Sequence, residues 1–287
     1  MSYKKTIMIL TGVIENTVYN KKLWGEEGVA FFIEVVEENA APIRVLFDTG
    51  RSGTVLLHNL EILEIEPDNI DYLVLSHGHT GHINGALSLN YKIKNYNIVL
   101  HSDIYRQKYK KNNNKIRKSG NQTALKQLNE NNIIDIKKKS TYWISKKVVI
   151  SGNIPIKDKN DPSCSNHFLL KKEKKYIPDQ FKEELSIGIL SKKGVIILTS
   201  CAHRGLINTI RHILSLFEDN MPLYGVIGGF HTLNDKKKTK ILIEKLTNYS
   251  PKIIAPCHCT GPISNSMLYS SFRESYRYFG TGSLIIV

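Results

Sequence analysis

"VLSHGHTGHINGA", residues 74–86, sets three histidines, His77, His79 and His82, within six positions at the end of an apolar run. Alternate residues of an extended segment project to one side, so His77 and His79 share a face. Two core histidines have no need of that arrangement, whereas a metal ion does, neutral imidazole being the commonest metal ligand. One residue does not fit: Gly81, which carries no ligand, stands immediately before the third histidine.

Working outward, His203 in "TSCAHRG", His231 in "GGFH" and His258 in "PCHCTG" each follow a β-rich run and keep company with Gly or Cys. Strand ends followed by loops let ligand side chains converge while a sheet holds them still. His58, His101, His167 and His212 stand alone and read as structural or surface residues. Around the histidines, "TIMILTGV", "VAFFIEVV" and "IRVLFDTG" predict strands from their β-branched and aromatic content. A helix over 53–63, the strand "YLVLS", a helix start at "INGALSL", the strand "NIVLH" and a helix from Asp103 follow. Strands recur in "WISKKVVISG", in the hairpin "LSIGILSKKGVIILTS" turning at Lys193-Gly194, and in "LYGVIGG", with helices near 205–218 and 235–249. The end reads as the strand "KIIAPCH", a long helix near 264–278, and the strand "SLIIV". Two successive β-rich halves with interspersed helices predict two packed sheets covered by helices. With 287 residues, no linker and no short repeat, one domain spanning 1–287 is expected.

A formal charge of +14 raises the question of a polyanionic partner. Much of the excess lies in "KYKKNNNKIRKSG" (108–120) and "KKEKK" (171–175), without aromatic residues interleaved at stacking spacing. These stretches read as solvated loops, which leaves nucleic-acid binding the minor reading. No apolar stretch reaches the roughly 18 to 20 residues of a membrane span, and the start leads into a strand rather than a signal peptide. No membrane partner and a cytoplasmic location are expected. Cys164, Cys201, Cys257 and Cys259 are few for this length, so structural disulfides are not expected. The oligomeric state stays open.

"LFDTG" at 46–50, "SHGHTGH" at 76–82, "CAHRG" at 201–205 and the histidine of "PCHCTG" at 256–261 resemble, in order, the metal-site motifs of the metallo-β-lactamase superfamily. "SGNIP" at 151–155, "GGFH" at 228–231 and "PCHCTG" resemble its dihydropterin-ribofuranosyl-aminobenzene phosphate synthase-like branch, over nearly the whole chain. The resemblance implies an αββα sandwich with the site at one edge between the sheets. It implies that His77, His79 and His203 hold a first metal and that His82 and His258 serve a second. The metal would be zinc, as one or two ions, with iron or manganese as alternatives. Asp48 would accept a hydrogen bond from a ligand imidazole and fix its tautomer.

The family ordinarily has aspartate at the position of Gly81, where it ligates the second metal and orients the attacking water. Its bridging aspartate is also not evident, because that segment reads "VIGGFH" and offers only His231, for substrate contact or for metal. These departures leave open one tightly held metal, a group recruited from elsewhere, or faded hydrolysis. Near one equivalent of metal per chain is the expectation.

Cys257 and Cys259 flank His258, and strand alternation points them away from its side, so they read as small buried residues. Cys201, two before His203, shares its side and is a secondary ligand candidate. Gly228 and Gly229 permit a tight turn before His231. Thr260 and Gly261 serve an anion or a turn, and Arg204 is the best-placed cation for a phosphate or carboxylate, against a plain surface role. The expected function is hydrolase-type attack by metal-activated water on an ester, lactone or phosphoester of a small anionic substrate, with Asp48 and His231 as catalytic residues. The branch resemblance adds a phosphorylated pterin or ribosyl compound, with transfer in place of hydrolysis. The alternative from another class is a non-catalytic ligand-binding or regulatory protein that retains the pocket.

Overall fold

Period-two alternation decides how the strands stack. In Ala30–Glu37, Phe31, Ile33 and Val35 enter one apolar cluster while Ala30 and Phe32 enter another. In Gly194–Thr199, Ile196 and Leu198 face the first cluster and Val195 and Ile197 a third. Strands with two apolar faces must be covered on both. The computed structural model of the chain describes every residue except 1–5, 94, 113–114, 129–131, 139, 166–167, 173–174 and 219.

One sheet runs in the spatial order Leu284–Ile286, Thr6–Ile14, Ala30–Glu37, Ile43–Phe47, Tyr72–Val74, Asn97–Leu100, Ile133–Asp135. The other runs Ile253–Cys257, Leu223–Gly229, Gly194–Thr199, Ser186–Ser191, Val148–Ile150, Tyr142–Ser145. Their inner faces share the core that holds Met8, Phe31, Phe47, Ile187, Ile196 and Ile227. Helix Gly53–Ile62 covers the outer face of the first sheet through Leu56 and Leu60. Helices Leu206–Leu214, Lys236–Thr247 and Pro262–Ser271 cover the second through Ile210, Leu242 and Leu268. The result is the αββα sandwich.

Two expected helices differ. The segment after Asp103 forms only a short 3-10 turn, Ser102–Tyr105, and then the strand Lys108–Asn112. The last helix ends at Ser271, because the chain turns back there to lay Tyr276 beside Ile254. Lys108–Asn112 belongs to a third, four-stranded sheet with Lys115–Lys118, Phe168–Lys172 and Lys175–Pro178. The lysine-rich stretches expected to be loops are therefore hairpin strands. His58 stacks on Trp24 and His101 accepts from the Asp103 amide, while His167 lies outside the described residues. Among the described residues no helix is long and apolar enough to cross a membrane.

Candidate metal centre

Parallel strands bring the motifs to one edge. Ile43–Phe47 and Tyr72–Val74 pair in parallel and end side by side, which sets Asp48 against Ser76 and His77. Gly194–Thr199, Leu223–Gly229 and Ile253–Cys257 do the same in the other sheet and deliver His203, His231 and His258. Asp48, Ala202, His231 and His258 all leave their strands in left-handed backbone, with φ of 62, 58, 48 and 48°. Non-glycine residues rarely adopt it, and surrounding structure must over-determine it. Gly228 is required outright: its φ is 124°, and a Cβ would sit 1.7 Å from the Thr199 carbonyl oxygen.

At the first group, His77 Nε2 lies 3.0 Å from His79 Nδ1 and 3.2 Å from His203 Nε2. A tetrahedral zinc with Zn–N bonds of about 2.0–2.1 Å sets its nitrogens about 3.3 Å apart, so the three converge as ligands do. A hydrogen-bond chain fixes one tautomer. Ser76 Oγ donates to Asp48 Oδ2 at 2.6 Å, so it accepts from His77 Nδ1 at 2.8 Å, and the His77 Nε2 lone pair faces the site. Burial first, and then neighbouring positive charge, from the other imidazoles at His77 and His203 and from Lys108 foremost at His79, holds all three well below the usual imidazole range. They are neutral, as ligands must be. Phe181 stacks on His203 at 4.0 Å between centroids, and Phe168 packs on His79 at 4.3 Å.

The second group gathers around His82. Its Nδ1 donates to Asp48 Oδ2 at 2.8 Å, which leaves Nε2 as the lone-pair nitrogen, 3.4 Å from Cys201 Sγ. Asp48 is fully buried, accepts from Ser76, Ser200 and His82, and supports imidazoles of both groups. The His258 ring meets His82 at 5.1 Å and its Nδ1 pairs with Asn16 Oδ1 at 3.2 Å. Cys257 is buried in the core, as alternation predicts, but Cys259 is not. The chain over His258–Thr260 is a 3-10 turn rather than an extended strand, and Cys259 swings back to line the cavity with Cys201. Among the described residues, Cys201, His258 and Cys259 offer donor atoms all within 4.8 Å of one another, as do His77, His82 and Cys201.

Gly81 lines the same cavity. A Cβ there would meet the Glu27 carbonyl oxygen at 3.1 Å and Gly28 Cα at 3.2 Å, tighter than ordinary contact. The Gly81 carbonyl in turn accepts from the Val29 amide at 3.1 Å. The missing side chain is thus matched by a backbone segment lying in its place.

His231 stands against His203, 4.4 Å between centroids, and its Nδ1 donates to the Ser163 carbonyl at 3.1 Å. Ser165 Oγ lies between the two rings. The cavity, about 650 Å³, is also lined by Lys110, Arg117 and Lys118, from the lysine-rich stretch expected to be a solvated loop, and Lys110 Nζ lies over the Phe168 ring, 5.8 Å from its centroid. Lys108 of the same stretch is fully buried and pairs with Asp179 at 2.7 Å and with Glu183. Arg204 differs from both its readings: it is buried, and its guanidinium donates to the carbonyls of Ile154 and Gln180. Thr260 is buried and accepts from the Phe230 amide, so it serves the turn.

Several supporting residues escaped sequence reading. Glu184 accepts from the His203 and Arg204 amides at 2.6 and 2.8 Å, and burial pushes its carboxyl up to about 7. Glu15 is buried and accepts from the His258 amide at 2.6 Å. Ser76 and Ser200 adjoin the histidine motifs, and that adjacency is the one sequence signal that points to them. Glu15, Ser165, Glu184 and the basic wall are remote in sequence and carry no local signature.

The sequence profile of the metallo-beta-lactamase superfamily matches residues 35–149. Over 97% of its length, and 96% of the relative's, the chain is 29% identical to the 7,8-dihydropterin-6-methyl-4-(beta-D-ribofuranosyl)-aminobenzene-5'-phosphate synthase of Methanocaldococcus jannaschii. An uncharacterized protein of the same organism, MJ0448, is 30% identical over 87% of this chain and 89% of its own. The crystal structure of Tm1679, described as a metal-dependent hydrolase of the beta-lactamase superfamily, superposes with a TM-score of 0.78 at 24% identity, over 97% of this chain and 98% of that one.

Proposed function

We propose that this chain, which belongs to the metallo-beta-lactamase superfamily, is a metal-dependent enzyme that opens an ester linkage in a small phosphorylated substrate. The observation that carries this reading is one cavity lined both by the imidazoles of His79, His203 and His231 and by the cations Lys110, Arg117 and Lys118. A volume of about 650 Å³ suits a substrate of cofactor size. His77, His79 and His203 would hold the ion. When bound, it polarises a substrate oxygen and lowers the pKa of water. The basic wall binds the phosphate and so sets the linkage over the histidines. His231 Nε2 takes the proton of the attacking group, because its Nδ1–H is committed to the Ser163 carbonyl. Asp48 holds the rings of His82 and, through Ser76, His77 in the required tautomers.

A second reading, transfer to another substrate in place of water, is favoured by Gly81. Without a carboxylate there, nothing at that position orients a water, and the similarity to a synthase points the same way. Turnover assays on a phosphodiester and on an uncharged lactone test the proposal. Lys110→Ala with Arg117→Ala is expected to raise KM for the phosphodiester about 10- to 100-fold, from charge-assisted bonds of roughly 1.5–3 kcal/mol, and to leave the lactone unchanged. His203→Ala is expected to abolish both. Tight binding of phosphorylated compounds without any turnover would establish the non-catalytic alternative instead.

A further inference from the structure

The thiols beside the second pair of histidines have no part in that scheme. Cys201 Sγ lies 3.4 Å from the lone-pair nitrogen of His82. The donor atoms of Cys201, His258 and Cys259 lie within 4.8 Å of one another, and the Cys259 S–H points to the Cys201 carbonyl at 3.6 Å. All four residues line the one cavity, beside Gly81.

We propose that His82, Cys201, His258 and Cys259 form a second, sulfur-rich metal site for a thiophilic divalent ion such as zinc, with the two thiolates supplying the negative charge that Gly81 cannot. A four-coordinate zinc has Zn–S bonds of about 2.3 Å and Zn–N bonds of about 2.0–2.1 Å, which place its donors roughly 3.4–3.8 Å apart. Cys201 links the two halves of the set: its sulfur lies 3.4 Å from His82 Nε2 and within 4.8 Å of the donors of His258 and Cys259, so the side chains draw together around the ion as it binds. His82 is already in the required tautomer, fixed by Asp48. Charge decides between ligand sets. Two neutral imidazoles alone would leave a doubly charged ion facing Lys110, Arg117 and Lys118, whereas two thiolates neutralise it. Binding is proton exchange without redox change: each thiol gives its proton to solvent as its metal–sulfur bond forms, two protons for each ion. The inference rests on the metal-dependent reading above and raises the expected content from one metal to two.

Cobalt titration of the metal-free protein, with a phosphine reductant present so that both sulfurs are thiols, tests it. The three-histidine group contains no sulfur, so a near-ultraviolet thiolate-to-cobalt charge-transfer band is expected only with the other of two equivalents. Cys201→Ser and Cys259→Ser should each remove about half of its intensity, the double variant all of it, and Cys257→Ser none. Because the buried Cys201 substitution can impair folding, zinc-edge X-ray absorption on the two-zinc wild type provides a check without mutation, through a sulfur shell at about 2.3 Å. One cobalt equivalent with no charge-transfer band, or a band that survives in the double variant, overturns the sulfur site while leaving the three-histidine centre standing. No cobalt bound at all overturns both.

Discussion

Gly81 lies where a carboxylate is ordinarily found, and restoring a side chain there is the sharpest test of why it is absent. An added Cβ would stand 3.1 Å from the Glu27 carbonyl oxygen and 3.2 Å from Gly28 Cα, so the backbone at 27–28 must give by a few tenths of an ångström. That segment is held through the Val29 amide on the Gly81 carbonyl and the Gly50 amide on the Val29 carbonyl, at 3.1 and 3.0 Å. Crowding a packed site costs typically about 1–3 kcal/mol. Replacing glycine at a backbone angle open to other residues returns about 0.4–1 kcal/mol through the unfolded chain. Gly81→Ala should therefore lose roughly 0.5–2 kcal/mol, a fall in Tm of roughly 1–8 °C at about 2–4 °C per kcal/mol. Thermal melts of the metal-free protein measure this steric effect alone. Gly81→Asp should show the same loss without metal and recover part of it with zinc, as its carboxylate meets the ion. An alanine variant as stable as the parent, or more so, would refute the reasoning from contact distances.

Asp48→Asn should weaken metal retention about 10- to 100-fold, read by competition with a chromophoric chelator, and asparagine tolerates the left-handed backbone at this position. A loss as severe as that of His79→Ala would make Asp48 a direct ligand. Lys108→Ala strands the buried carboxylates of Asp179 and Glu183 and should cost about 3–5 kcal/mol in denaturant melts, whereas a near-neutral result would mean that the triad is solvated. Burial raises the Glu184 carboxyl from 4.5 to about 7, so the folded state binds more protons between those values. The stability tied to it is present below pH 4.5 and is lost as pH rises through about 7, on the order of 3 kcal/mol in all. Glu184→Gln should flatten this dependence in melts of the metal-free protein, and an unchanged pH profile would assign it to other groups.

What was legible in the sequence was whatever alternation or adjacency could carry. Period-two apolar runs gave the strands of both sheets, and strand ends with histidines gave the two groups at one edge. Legibility stopped where tertiary contact overrides local preference. Lysine and asparagine are poor strand formers, yet Lys108–Asn112 is a strand because Tyr109 and Lys110 pair with Leu169 and Phe168 far along the chain. Cys259 was placed away from His258 by alternation, and the left-handed φ of His258 breaks that alternation. Arg204 sits beside a predicted ligand, but only the loops at Ile154 and Gln180 determine that it turns inward.

The small third sheet joins two stretches from opposite halves of the chain, with Lys110 paired to Phe168. Each stretch is a hairpin paired within itself, and only the seam between Lys108–Asn112 and Phe168–Lys172 needs both halves of the sandwich in place, so that seam acts as a clasp on the basic side of the cavity. Loop closure of that length is a slow step compared with hairpin formation. Opening the clasp would spread the cavity and draw the Phe168 ring away from His79 and His203, while the strands that end at the histidines keep their own pairing. Amide exchange at Tyr109 and Leu169, which pair across the seam, thus measures how often the site gapes.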